Sequence, residues 1–328
     1  MIDRAAGCLF GSAIGDAMGM PASFMSPEQV KRNYGRITDF LKPSTEQVAH
    51  GALHKAEITD DTQETIILAQ TLIEAKGFDE KIFIEKMIRW AVEQDMLSST
   101  VIGPSTRRFL RAIIEGGDYV RIGKSGDTNG AAMRVAPVGI FYHGDPERAC
   151  REAMNQARVS HGSVCGLASA AAVAAAVSLA VEGNSSPEEM MDAAITAAIS
   201  GEQEGADIPA PKISRRLMLA KEIADRRMKQ ASLEAVAYEL YTLFGAGMKS
   251  YESIPLSLGV SYAAGFDFKT GLITVINIGD DADTNGAITG AVCGAYSGLE
   301  AVPPAWQNRV EQQNSMNLLK LAEDLLKG

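Results

Sequence analysis

The stretch "EITDDTQE" sets Glu57, Thr59, Asp60, Asp61 and Thr62 side by side, and "GDDADTNGA" does the same with Asp280, Asp281, Asp283 and Thr284. Carboxylates crowded this closely raise one another's pKa unless a cation sits among them. Taken singly, each stretch also has an ordinary reading: an acidic helix start for the first, an acidic turn or a Ca²⁺ loop for the second. The EF-hand pattern does not fit the second. Taken together, Asp60, Asp61, Asp281 and Asp283 sum to −4, which two divalent cations would neutralise. Thr59 and Thr284 add neutral oxygens. Hard oxygen donors suit Mg²⁺ or Mn²⁺, whereas zinc prefers His and Cys. The chain has only four of each, without ligand spacing.

The pentapeptide DTNGA occurs twice, at Asp127–Ala131 and Asp283–Ala287, with unrelated flanks. No internal repeat is expected; the shared feature is a Gly/Asn turn opening into an Ala-rich helix, which exposes backbone N–H groups. Helical signals dominate elsewhere. Asp61 with Glu64 three residues on resembles a capping box, and Gly77 ends that run. Asp79, Pro146 and Ser186-Pro187 mark further starts, and the segments after Lys212, Ser232 and Ser315 are amphipathic at helical period. "GLITVINIG" reads either as a strand or as a short buried helix. The glycines Gly11, Gly15 and Gly19 read as close helix packing, since the run lacks the Lys of a P-loop and the strand of a Rossmann turn.

Composition is 46% apolar with 6% aromatics, which favours packed helices over a β-sandwich. No Pro/Gly/Ser linker divides the chain, and its length alone fits one large domain or two. The net charge of −10 argues against a nucleic-acid backbone as main partner. Four dispersed cysteines and a start without signal-peptide order fit a reducing, cytoplasmic setting. Ser163–Gly183 is long and apolar enough for a membrane span but lacks basic or aromatic flanks, and reads as a buried central helix.

At these residues the sequence resembles the ADP-ribosylglycohydrolase family over nearly its whole length. "GSAIGDAMGMP", "TDDT", "TNGAAMRVAPVG", "SH" at Ser160–His161 and "GDDADTNGAITGAVCGAYSG" are similar to the family's motifs and stand in its order. The resemblance implies an all-α fold, a single-domain orthogonal helical bundle over 1–328, with two divalent cations, Mg²⁺ or Mn²⁺, held by Thr59, Asp60, Asp61, Asp281, Asp283 and Thr284. It also implies a substrate lining of Gly103, Ser105, Ser125, Gly126, Asn129, Gly130 and Met133 with His161 nearby. Arg134 reads equally as an internal partner of an acid or a substrate contact. Two departures stand out: Ser23 where the family commonly has Glu, and Asp280 where it usually has Gly.

The expected activity is hydrolysis of a glycosidic bond at the anomeric carbon of a ribosyl group, in an ADP-ribosylated protein or a small ribosylated or nucleoside metabolite. Asp61 or Asp281 would orient or deprotonate the attacking water. Ser23 keeps open the alternative of a metal-dependent ADP-ribose or nucleotide-binding protein with weakened turnover. A two-metal phosphohydrolase is a third reading.

Overall fold

The computed structural model describes Met1–Gly328. Polar residues start the helices where a side-chain oxygen can take the orphan N–H groups of a first turn. Ser26 and Ser186 make complete capping boxes with Gln29 and Glu189, and Asp79 accepts from the N–H groups of Lys81 and Ile82. In chain order the helices are α1 (Ile2–Gly19), α2 (Pro27–Tyr34), α3 (Asp60–Ala75), α4 (Glu80–Glu93), α5 (Pro104–Ile114) and α6 (Tyr119–Gly123). There follow α7 (Gly130–Met133), α8 (Ala136–Phe141), α9 (Pro146–His161), α10 (Val164–Glu182), α11 (Pro187–Glu204) and α12 (Ile213–Arg227). The last six are α13 (Leu233–Phe244), α14 (Ser250–Ala263), α15 (Phe268–Ile276), α16 (Ala282–Ser297), α17 (Pro304–Asn314) and α18 (Leu318–Leu325). Outside them lie two short 3₁₀ helices, Met20–Ala22 and Leu299–Ala301, and two isolated β-bridges, so the fold is all-α, as expected.

Two details differ from the sequence reading. The cap of α3 is Thr59, whose hydroxyl accepts from the Asp61 N–H, and Glu64 takes no part in it. The ambiguous "GLITVINIG" lies mostly in α15, capped by Asp267. Seven of the nine residues of α15 are buried, so no polar face was left to show a helical period.

α10 is the axial helix, packed against α9, α11, α8, α16 and α14. By length and composition it could cross a bilayer, but 94% of its apolar window is buried inside the protein. The closest pair is α1 with α16, which run antiparallel. A Cβ on Gly11 would lie 2.1 Å from the Gly290 carbonyl oxygen, and one on Gly15 would lie 2.0 Å from that of Gly286. Gly7 and Gly19 meet Gly294 and Ala282 in the same way. The four-residue spacing keeps one bare stripe along each helix, and the two backbones touch along it. This contact carries the end of α1 to the start of α16, which is where the acidic residues lie.

Candidate active site

The site begins with a buried carboxylate on α1. Asp16 is fully buried and accepts from the Thr59 N–H (3.0 Å), the Thr59 hydroxyl (2.8 Å) and the N–H and hydroxyl of Thr62. It thus caps α3 from outside and fixes its first turn. Burial raises its pKa to about 6 against these hydrogen bonds, and the charge of Asp283 adds to the rise. The Thr59 hydroxyl has one hydrogen, which it donates to Asp16. The Thr59 oxygen then faces Asp61 Oδ2 at 3.2 Å, a contact that needs a proton or a cation to relieve it.

The second acidic stretch reaches the same place by a turn. Gly279 and Asp280 are left-handed (φ +79° and +54°), and the Asp280 N–H bonds the Met25 carbonyl at 2.7 Å. α16 then starts with Asp281, Asp283 and Thr284, each 4% exposed. Asp60, Asp61, Asp281, Asp283 and Thr284 line one cleft. Burial pushes the pKa of Asp60, Asp61 and Asp281 well above the carboxylate range, and repulsion between the neighbours adds to it. Asp283 goes the other way: against its own burial, the adjacent His50 holds it below its ordinary value.

The two DTNGA copies meet here with different duties. Asn129 donates its amide to Asp281 Oδ2 at 2.6 Å, whereas Asn285 turns away to the Ala246 carbonyl and the Ser257 hydroxyl. The Ala246–Ser250 loop ties both together: Asn129 N–H bonds Met248 O, Ser250 N–H bonds Asp127 O, and Asp281 N–H bonds Ala246 O.

Of the expected substrate residues, Gly103, Asn129, Gly130 and Met133 line the cleft. Ser105, Ser125, Gly126 and His161 do not. Ser105 accepts from Arg108, and its neighbour Thr106 takes the place in the lining. Ser125 is exposed and bonds the Ile122 carbonyl. Gly126 packs on the backbone of Ser160 and His161. His161 is fully buried behind Gly130, between the Thr128 hydroxyl (3.0 Å) and the Ser160 hydroxyl (2.8 Å). Burial, then the charges of Arg134 and Arg108, lower its pKa well below the usual histidine value, so it packs as a neutral ring. Thr59 also lies outside the lining, held by Asp16.

The two departures have structural roles. Ser23 is fully buried, and its hydroxyl accepts from the Asp283 N–H at 3.2 Å. It supports the first turn of α16 and does not line the cleft. Asp280 is half-buried beside Gly247, also outside the lining. Arg134 is internal: fully buried, it pairs with Glu64 at 2.8 Å, bonds Gln156 and Ser160, and stacks on Phe83. R134M is therefore expected to destabilise the fold by about 3–5 kcal/mol, because it strands the Glu64 charge in the core. Urea unfolding measures this, and R134M/E64Q should recover much of the loss.

Four lining residues carried no sequence signal: Phe24, Val101, Met248 and His50. His50 is 2% exposed, and its Nε2 stands 2.9 Å from Asp283 Oδ2, although off the line of a well-formed hydrogen bond.

The donor set lining the cleft fits hard cations: four carboxylates, the Thr284 hydroxyl, and an Asp61 Oδ1 that is buried without any partner. It is not a finished coordination shell, since no three His, Cys, Asp or Glu side chains gather about one point. Asp281 is turned to Asn129, and Asp283 to His50.

Comparison with known proteins gives the family. The chain is 31% identical to YegU of Escherichia coli, over 99% of this chain and 97% of that one. It is 27% identical to the human ADP-ribosylhydrolase ARH3, over 97% and 92%. A solved ADP-ribosylglycohydrolase-related protein complex contains a chain that superposes with a TM-score of 0.73 at 25% identity, covering 99% of this chain and 98% of its own. The sequence profile of ADP-ribosylglycohydrolase matches residues 1–328. A match that spans both acidic stretches and the helix pair joining them leaves one assignment: the chain belongs to the ADP-ribosylglycohydrolase family and is a hydrolase of that type.

Proposed function

We propose that the protein hydrolyses the bond between the anomeric carbon of a ribosyl group and its acceptor, using two divalent cations, Mg²⁺ or Mn²⁺. One observation carries this reading: four buried carboxylates from the starts of α3 and α16 line a single cleft, with one oxygen of Asp61 lacking any partner. Thr59, Asp60, Asp61, Asp281, Asp283 and Thr284 are the residues that would hold the cations. Bound there, the cations would supply Lewis acidity, lowering the pKa of a water and holding neighbouring ribose hydroxyls.

The chain's own groups divide the remaining work. Asp61 or Asp281 orients the attacking water or accepts its proton. Asp281 is oriented by Asn129 and steadies the opposite side. Positive charge builds on C1 and the ring oxygen as the acceptor departs, and the carboxylates of the cleft face that charge. Gly130 lets the α7 backbone pack directly on His161, which leaves no room for a side chain there.

Incubation with Mg²⁺ or Mn²⁺ and a panel of arginine- and serine-linked ADP-ribose, O-acetyl-ADP-ribose and nucleosides tests the reading. Release of acceptor or base supports it, and release of phosphate points to a phosphohydrolase. Tight binding without product marks a chain that has lost turnover. Independently, either cation at about 100 times its Kd should stabilise the fold by about 2.7 kcal/mol. For a chain of this length that raises Tm by about 4 °C. A melting curve unmoved by both ions would remove the cations from the proposal.

A further inference from the structure

Phe24 is the only residue lining the cleft with a left-handed backbone, at φ +64°. A bulky side chain adopts that conformation only where its surroundings impose it. Here the constraint is visible. The Phe24 N–H donates to the Asp280 carbonyl, and the Asp280 N–H donates to the Met25 carbonyl. Two left-handed residues are tied back to back, and the tie presents a phenyl ring 40% exposed, beside the buried His50 at a centroid distance of 6.0 Å.

The cleft grades from charged to apolar. Its four carboxylates are at most 4% exposed and form the floor. Phe24, Val101 and Met248 are the more exposed apolar members and form the mouth. No lysine or arginine lines it, and Lys249, next along the chain, is paired with Asp127. With the floor acids committed to cations and sugar hydroxyls, the mouth offers an aromatic face and apolar flanks, and no acid or base for a charged acceptor.

We propose that Phe24 is the platform for the departing group, and that this group is a planar, uncharged nitrogen heterocycle, as in a purine riboside. The inference rests on the glycosidic-hydrolase reading above. In the reaction, the C1–N bond breaks with its electron pair passing to the ring nitrogen, which is protonated. Water supplies the hydroxyl to C1 and, overall, that proton. Nothing is oxidised or reduced. Phe24 acts by stacking on the ring and holding it in line for departure.

The test compares inosine with serine-linked and arginine-linked ADP-ribose for the wild type, F24L and F24W in Mg²⁺ or Mn²⁺. F24L keeps the apolar bulk and the backbone strain but removes the π face, and F24W restores it. Stacking on an aromatic side chain is worth enough that F24L should lower kcat/KM for inosine about tenfold relative to the serine-linked compound. F24W should recover it, and free hypoxanthine should inhibit the wild type more strongly than F24L. Circular dichroism melts confirm that each variant is folded. An equal loss on all substrates, or a larger loss on the arginine-linked one, overturns the planar uncharged acceptor and leaves the hydrolase reading intact. If no ribosyl compound is cleaved under any condition, the hydrolase reading fails and this inference fails with it.

Discussion

Replacing Asp283 by Ala is expected to remove divalent-cation affinity and turnover together, each by at least about 100-fold. Losing a mere outer-shell partner of a metal ligand already costs about 10–100-fold in affinity or activity, and Asp283 lies inside the cleft. Its carboxylate is the one whose pKa falls below the ordinary value, despite burial, because His50 stands against it. It is therefore the acid most firmly ionised before any cation arrives. The control lies three residues earlier. Asp280 has the same chemistry but does not line the cleft, and Asn readily adopts its left-handed conformation. D280N should keep kcat/KM within a few-fold of wild type. Calorimetric titration with Mn²⁺, alongside initial rates, reads both effects. Full turnover with intact cation binding in D283A would dismantle the proposed centre.

The second large effect concerns the helix pair and lies far from any reacting atom. G15V is expected to yield no folded protein, and G15A a severely destabilised one with little activity. Real side-chain contacts essentially never fall under 3.0 Å, and a Cβ at Gly15 would meet the Gly286 carbonyl oxygen at 2.0 Å. The obstacle is backbone, so no rotamer change relieves it. α1 and α16 would have to part by about 1 Å, beyond the adjustments behind the usual overpacking cost of about 1–3 kcal/mol. Because Asp16 is the next residue, the separation also pulls it from Thr59 and Thr62 and loosens the cap of α3. Soluble yield, thermal melting and cation titration of G15A follow the chain of effects. A G15A protein with wild-type Tm would show that the pair tolerates separation.

Much of the site was legible because its chemistry is local in sequence. "TDDT" and "GDDADTNGA" announce acids that must be neutralised, and the glycine spacing announced the helix contact. Other parts were hidden for physical reasons. Ser105 and Thr106 are neighbours about 100° apart around a helix, and nothing in "IGPST" says which one turns inward. His161 sits in a plausible position, but its burial depends on how α9 packs over Gly130. Ser23 looked like a lost catalytic acid, yet it is used to receive the Asp283 N–H. His50, Val101 and Met248 come from irregular segments with no period, and only the completed fold brings them to the cleft. Phe24 was passed over because a left-handed backbone cannot be seen from a phenylalanine code.

The pairing of α1 with α16 also sets an order of events during synthesis. α1 is synthesised well before its partner, which begins only at Ala282. At about 5–20 residues per second, the nascent chain carries its bare glycine stripe uncovered for roughly 14–56 s. Through that interval Asp16 has no opposite wall to complete. Asp281, Asp283 and Thr284 are also still missing then, so the cleft is walled only after the start of α16 has been made.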